Sequence, residues 1–213
     1  MKNSTDIYSF HSGKKALAIL IDPDAYDENS LKVVIEKSNS AHIDFFLVGG
    51  SLTFSSVEDS IKIIRRYSEL PVFLFPGNIL QISPLADGIL FLSLISGRNP
   101  EFLIGHHVLA APEIKKCGID VYPTAYILVG NGKQTSVEYM SNTSPIPADK
   151  AEIAVATAIA GELLGLKLCY LEAGSGAEQT VGLNMISEVR KNISSPLIVG
   201  GGIKSAEQAE KIF

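Results

Sequence analysis

Glu172 is a carboxylate inside an apolar run, Tyr170-Leu171-Glu172-Ala173-Gly174-Ser175-Gly176. The run begins like a buried strand and ends like a glycine turn. A carboxylate taken out of water is costly unless it is paired, hydrogen-bonded or used in chemistry. The residues after Ala173 have the composition of a loop that wraps an anion with backbone N–H groups. A second such turn, Gly200-Gly201-Gly202, follows the apolar stretch 197–199. Two consecutive strands ending in glycine turns point to one phosphate site at one end of a parallel sheet.

Oxygen donors cluster early in the chain. Asp22-Pro23-Asp24 follows the apolar stretch 16–21, and Gly49-Gly50-Ser51 follows 45–48. Hard cations such as Mg²⁺ take carboxylate oxygens, water and substrate phosphates. Asp22 is the better metal candidate because it lies nearer the strand, and Ser51 offers a hydroxyl at the matching place on the next strand. Asp24 reads equally as a cap for a turn or helix, with Asp27 and Glu28 as surface charge. Residues one apart on a continuing strand point to opposite sides, so Asp22 and Asp24 need not share an ion. Gly77-Asn78 after the third strand is a turn signal as much as a site. Arg98 is either a diphosphate contact through paired N–H groups or a surface arginine. His106 and His107 read as packing histidines, as does His42. Cys117 and Cys169, without metal spacing to any histidine, read as reduced buried thiols.

Apolar stretches that would position these groups lie at 16–21, 45–48, 72–75, 88–95, 124–129, 168–171 and 197–199. Most are continuous rather than alternating, as in strands covered on both faces. Amphipathic stretches at 30–40, 57–66, 148–164, 181–189 and 205–213 predict helices, the third starting after Pro147. Alternation of the two with short links gives a parallel α/β fold. Chemically capable residues follow most of the strands, as at the C-terminal rim of a (β/α)₈ barrel. The segment between the third and fourth strands holds Pro76, Gly77, Pro84 and Gly88, which argues against a full helix there. A barrel needs an eighth strand to close and only seven such stretches occur, so the expectation is a single barrel domain over 1–213, C-terminally incomplete and lacking strand eight.

With 213 residues, 46% hydrophobic and 19% charged, the chain is too apolar for disorder. A net charge of −5 without a basic cluster argues against nucleic acid as a partner. The N-terminus lacks the apolar core of a signal peptide, and no stretch reaches the roughly 18 apolar residues of a membrane span. The expected location is cytoplasmic, with at most transient contact with a membrane surface. Apolar-rich helices suggest a homo-oligomer. Walker, H-E-x-x-H and G-x-S-x-G motifs do not occur.

Taken in order, Leu20-Ile21-Asp22-Pro23-Asp24, Val48-Gly49-Gly50-Ser51, Phe75-Pro76-Gly77-Asn78, the 170–176 run and Val199 to Ile203 resemble the geranylgeranylglyceryl phosphate synthase family. That family includes the bacterial heptaprenylglyceryl phosphate synthases. The resemblance spans nearly the whole chain, and the 170–176 run is its most specific part. It implies a modified (β/α)₈ TIM barrel without a regular third helix, which agrees with the proline-rich link. It also implies a Mg²⁺-dependent prenyltransferase. The acceptor is sn-glycerol 1-phosphate, the donor a polyprenyl diphosphate, and the products an ether-lipid precursor and diphosphate.

By the same resemblance, Asp22 and Ser51 correspond to the Mg²⁺ positions. Tyr170, Leu171, Glu172, Ala173, Gly174, Ser175 and Gly176, with Gly200, Gly201 and Gly202, hold the glycerol phosphate. The family's further Gly-Asn pair follows strand eight, beyond the last residue of this sequence, and is assigned to no residue. Some bacterial members carry a lysine where this chain has Leu20, which favours a geranylgeranyl donor. Glu172 is the expected base for the acceptor's C3 hydroxyl, a task needing reach of roughly 3 Å rather than an extreme pKa. Phe73, Phe75, Leu90, Phe91, Leu92 and Tyr126 are candidates to line an apolar trough for the prenyl tail, and equally ordinary core. The competing readings are a sugar-phosphate isomerase or epimerase on a phosphate-binding barrel, and a non-catalytic phosphate-binding scaffold.

Overall fold

The computed structural model describes residues 7–8, 15–130 and 132–213. Seven strands are found among them: β1 (Ala18–Ile21), β2 (Phe45–Val48), β3 (Val72–Leu74), β4 (Gly88–Leu94), β5 (Asp120–Leu128), β6 (Leu168–Glu172) and β7 (Leu197–Gly200). Their order in the sheet follows the chain. β1 to β4 run parallel to one another, with Ile21 opposite Val48 and Val48 opposite Leu74. β5 to β7 are also parallel, with Leu128 opposite Glu172 and Glu172 opposite Gly200. The chain divides into two compact units, one formed by the residues up to Phe91 with Val108–Tyr122, the other by Leu92–His107 with Pro123–Phe213.

In the first unit, α1 (Glu28–Ser40) and α2 (Val57–Tyr67) follow β1 and β2. Asp27 caps α1 by accepting the Ser30 N–H at 2.8 Å, and Ser30 returns the contact to the Asp27 N–H at 3.0 Å. This reciprocal box satisfies amides that have no partner inside the helix. Asp27 is therefore a cap rather than the plain surface charge expected of it. Ser56 caps α2, whose first turn is acidic and last turn basic, as the helix dipole favours. Leu31 and Ile35 of α1, with Ile61 and Ile64 of α2, pack on Ile21, Phe46, Val48, Val72 and Leu74. The other face of the strands is filled too: Phe73 stands edge-on to Phe45 at 5.4 Å and to Tyr122 at 5.5 Å. Burial on both faces is why these strands read as unbroken apolar runs.

Between β3 and β4 the described chain forms no helix, as the prolines predicted. Asp87 secures this short crossover. Its carboxylate accepts the Val72 N–H at 2.8 Å and pairs with Arg65 of α2.

Helix α3 (His106–Cys117) departs from the sequence reading, which left 103–109 as an apolar segment. It follows a single π-helical turn, Glu101–Gly105. Pro112 sits within it, and Val108 and Leu109 are exposed. Ala110 and Ile114 are its buried apolar residues, beside the buried His107, so no broad apolar stripe marks the helix.

In the second unit, α4 (Ser136–Ser141), α5 (Ala151–Leu163), α6 (Leu183–Asn192) and α7 (Ala206–Ile212) accompany β5 to β7. α5 begins three residues later than expected. Pro147 lies in a turn before it, its carbonyl accepting the Lys150 N–H at 3.0 Å. Ala154 and Ala158 of α5 and Met185 and Val189 of α6 pack with Ile127, Cys169 and Leu171. β5 starts at Asp120, earlier than its apolar part suggested, because its first two residues, Asp120 and Val121, are exposed and Pro123 follows.

Candidate functional site

Two groups of candidate side chains stand at strand ends, one in each unit. In the first unit Asp22 leaves the end of β1. Its Oδ1 accepts the Asp24 N–H at 3.0 Å, while no described residue hydrogen-bonds to Oδ2. The Asp24 carboxylate turns elsewhere, accepting the N–H groups of Phe54 at 2.8 Å and Ser55 at 2.7 Å. The Ser55 hydroxyl, then these two amides, hold the Asp24 carboxyl below its usual range. The Asp24 carboxylate is thus no helix cap; it anchors the loop after β2.

Close approach requires glycine at 77 and leaves little room for a side chain at Gly50. A Cβ on Gly50 would stand 3.2 Å from Asp22 Oδ2, and one on Gly77 would overlap the Gly50 carbonyl and lie 2.7 Å from Ser51 Cα. The ends of β1, β2 and β3 therefore meet around Asp22, Gly50, Ser51 and Gly77. Asn78 closes a local turn, accepting the Leu80 N–H at 2.9 Å. Asp22 Oδ2 and the Ser51 hydroxyl are both hard oxygen donors. They are too few for a closed protein cage, and no set of three or more His, Cys, Asp or Glu is grouped for a metal among the described residues. One carboxylate plus a hydroxyl suits Mg²⁺, which keeps most of its waters or takes substrate phosphate oxygens instead.

In the second unit Glu172 ends β6 at 4% exposure. Its Oε1 accepts the Gly174 N–H at 2.6 Å, and the Tyr170 hydroxyl donates to the same carboxylate. Burial pushes its pKa from 4.5 up to about 7, against the pull of these two hydrogen bonds. The Tyr126 and Tyr170 rings lie 5.6 Å apart, and burial raises both phenols well above their usual range.

The glycine turns close over this group. A Cβ on Gly200 would strike the Tyr170 hydroxyl. One on Gly201, where φ is +82°, would strike Glu172 Oε1 and lie 2.8 Å from Gly174 N. Gly176, Gly201 and Gly202 all have φ between +69° and +82°. The N–H groups of Ser175, Gly176, Gly201 and Gly202 have no partner among the described residues. Left-handed glycines with unengaged amides form the concave array that receives anionic oxygens.

The 170–176 run divides its duties more unequally than the sequence suggested. Leu171 and Ala173 are buried in the core that faces the helices, and the Gly174 N–H is committed to Glu172. Only Ser175 and Gly176 are exposed. Sequence reasoning missed Thr135, whose side chain packs against Gly174 while capping α4 with Glu138. The T-x-x-E spacing carries that signal. It also missed Gln81, buried at 2% exposure beside Gly50.

The other candidates are held by their own local contacts. Arg98 Nη1 curls onto the carbonyls of Ile95, Ser96 and Gly97, at 3.2, 3.3 and 2.7 Å. It lines a cavity of about 610 Å³ with Asn99, Asn142 and Thr143. His107 packs with Nε2 2.9 Å from Ser93 Oγ, and burial lowers its pKa. Phe73, Phe75, Leu90 and Tyr126 are buried, whereas Phe91 and Leu92 are half-buried. Among the described residues no helix is long and apolar enough to cross a membrane.

Parallel strands in chain order, helices between them and a helix-free link from β3 to β4 define a modified (β/α)₈ barrel, with seven strands among the described residues. Residues 12–213 match the PcrB family, and the chain belongs to it. Geranylgeranylglyceryl phosphate synthase of Spirosoma linguale is 53% identical over 199 residues, covering 93% of this chain and 80% of its own. The enzyme of that name from Thermococcus gammatolerans is 44% identical, with 91% and 77% covered. Among solved structures, (S)-3-O-geranylgeranylglyceryl phosphate synthase from Thermoplasma acidophilum, in complex with its substrate sn-glycerol-1-phosphate, superposes with a TM-score of 0.91 at 34% identity. The match covers 100% of this chain and 86% of that one. N-acetylmannosamine-6-phosphate 2-epimerase from Clostridium perfringens has a TM-score of 0.60 at 11% identity, a likeness of fold alone, covering 100% and 86%.

Proposed function

We propose that this protein joins the C3 hydroxyl of sn-glycerol 1-phosphate to C1 of geranylgeranyl diphosphate, releasing diphosphate. One observation carries the reading: the Glu172 carboxylate, buried and fixed by Tyr170 and Gly174, lies against a glycine turn whose amides are open to an anion. The resemblance to an enzyme holding sn-glycerol-1-phosphate supports it.

The open amides of Ser175, Gly176, Gly201 and Gly202 receive the acceptor's phosphate. Tyr170 and the Gly174 N–H keep the Glu172 carboxylate in one orientation. The allylic C1–O bond breaks, its electron pair leaving with the diphosphate, and the acceptor oxygen bonds to C1. Glu172 takes the proton that this oxygen loses. A carboxylate raised to about 7 is a stronger base than an ordinary one and is still largely ionised just above neutrality. Asp22 and Ser51 would hold Mg²⁺. When bound, Mg²⁺ supplies charge neutralisation on the leaving diphosphate. Each prenyl CH₂ removed from water adds about 0.8 kcal/mol to donor binding. Leu20, in place of the lysine of some bacterial relatives, favours the geranylgeranyl donor.

The test is diphosphate release from labelled sn-glycerol 1-phosphate, geranylgeranyl diphosphate and Mg²⁺. Turnover in the wild type, falling about 10²- to 10⁴-fold in Glu172→Gln while glycerol phosphate still binds, is expected. A wild type that binds both substrates and releases no diphosphate sinks the proposal and favours a phosphate-binding scaffold.

A further inference from the structure

Gln81 makes four hydrogen bonds from a single buried carboxamide. Its Oε1 accepts the N–H groups of Gly50 at 3.2 Å and Gly77 at 3.1 Å. Its Nε2 donates to the Gly50 carbonyl at 2.8 Å and to Thr53 Oγ1 at 3.1 Å. Two amide donors on one side and a carbonyl acceptor on the other leave one orientation for the side chain. Gln81 thus grips both the N–H and the C=O of Gly50, as a neighbouring strand would, beyond the point where the ladder from β2 to β3 has ended. Gly50 is held between this carboxamide and the Asp22 carboxylate, and Ser51 is the next residue.

We infer that Gln81 is a positioning residue that sets where Gly50 and Ser51 stand relative to Asp22, and so tunes the pair proposed to hold Mg²⁺. The inference rests on that metal reading. The physical basis is the amide's dual character: it alone among side chains offers a donor and an acceptor in the geometry of a peptide group. Methionine of similar length offers neither. Glutamate in its ionised form offers acceptors only and faces the Gly50 carbonyl with a charge, whereas its protonated form restores one donor.

The experiment compares wild type, Gln81→Met and Gln81→Glu. Mn²⁺ binding is measured by electron paramagnetic resonance with inorganic diphosphate present, and amide exchange is followed over residues 49–54 and 76–79. In Gln81→Met, exchange in both segments rises and Mn²⁺ affinity falls about tenfold, the scale seen when groups that orient metal ligands are lost. Glycerol 1-phosphate affinity stays within about twofold of wild type. In Gln81→Glu, Mn²⁺ affinity relative to wild type recovers as pH falls and the new carboxyl protonates, an effect that general loosening of the fold does not produce. If Gln81→Met fails to fold, the pH dependence of Gln81→Glu decides. Wild type that binds Mn²⁺ alongside variants that match it within twofold overturns the positioning role. Wild type with no Mn²⁺ signal overturns the metal reading itself.

Discussion

Replacing Glu172 with glutamine should lower turnover about 10²- to 10⁴-fold and stabilise the fold. The carboxyl has a pKa of about 7 in the folded chain, against 4.5 ordinarily, chiefly because burial disfavours its charge. The folded state therefore holds the proton more tightly than the unfolded state, and stability falls as pH rises from 4.5 to about 7. Below this window both states are protonated and there is no penalty; above it both are ionised and the penalty is complete. At 1.36 kcal/mol per pH unit the interval amounts to about 3 kcal/mol. Glutamine keeps an oxygen for the Gly174 N–H and does not titrate. Glu172→Gln should then exceed wild type by about 1 kcal/mol at pH 5.5 and about 3 kcal/mol at pH 8.5, from linkage alone. For a chain of this size the larger figure corresponds to a rise in midpoint of about 6–12 °C. Urea unfolding of both proteins across that range supplies the comparison. A stability difference that stays constant with pH, or shrinks as pH rises, refutes the account of Glu172 as a buried carboxyl strained by its charge.

Gly201→Ala places a Cβ against Glu172 and Gly174 at a left-handed position. It should cost about 2 kcal/mol in urea unfolding and remove glycerol phosphate binding measured by calorimetry. Asp24→Ala frees the Phe54 and Ser55 amides, so hydrogen exchange at these two residues should rise at pH 7 with β1 and β2 unaffected. The Asp24 carboxyl is held below its usual range, so its anchoring is present at neutral pH and is lost as pH falls through its folded value. Glu162 accepts the N–H groups of Ser194 and Ser195 at 2.8 and 2.6 Å. Its removal should lower the thermal midpoint by about 2–4 °C without changing substrate affinity. The Cys169 thiol is buried and pushed up to about 12, so a thiol reagent at pH 8 should modify Cys117 in the folded protein and reach Cys169 only on unfolding.

Strands and helices with a strong local signal were legible in the sequence. β2 and β3 are buried on both faces and read as continuous apolar stretches, while α1 and α2 carry capping residues and one apolar stripe. The helix-free link followed from its prolines. α3 was hidden because only His107, Ala110 and Ile114 are buried along it and a proline lies within it. Pro147 misled in the opposite direction, since a proline that can start a helix can equally sit in the turn before one.

At the candidate site, Glu172, the glycines and Asp22 stood out by residue type alone, because a buried carboxylate and adjacent glycines are locally improbable. Their duties did not. Glu172 and Leu171 are neighbours in sequence, yet strand alternation sends one to the glycine turns and the other to the helices. Asp24 and Asp27 are both acidic residues after β1; one anchors a loop thirty residues away and the other caps α1.

The sequence alone determined the fold class, the glycine turns after β6 and β7 and the carboxylates at strand ends, since these depend on composition and periodicity within a few residues. Tertiary structure alone decided that Glu172 titrates near 7, that the Gly174 amide serves Glu172, and that Gln81 grips Gly50. The last joins groups 31 residues apart, and the surroundings of Glu172 and Gly174 are closed by residues as distant as Gly201; no local pattern encodes that proximity.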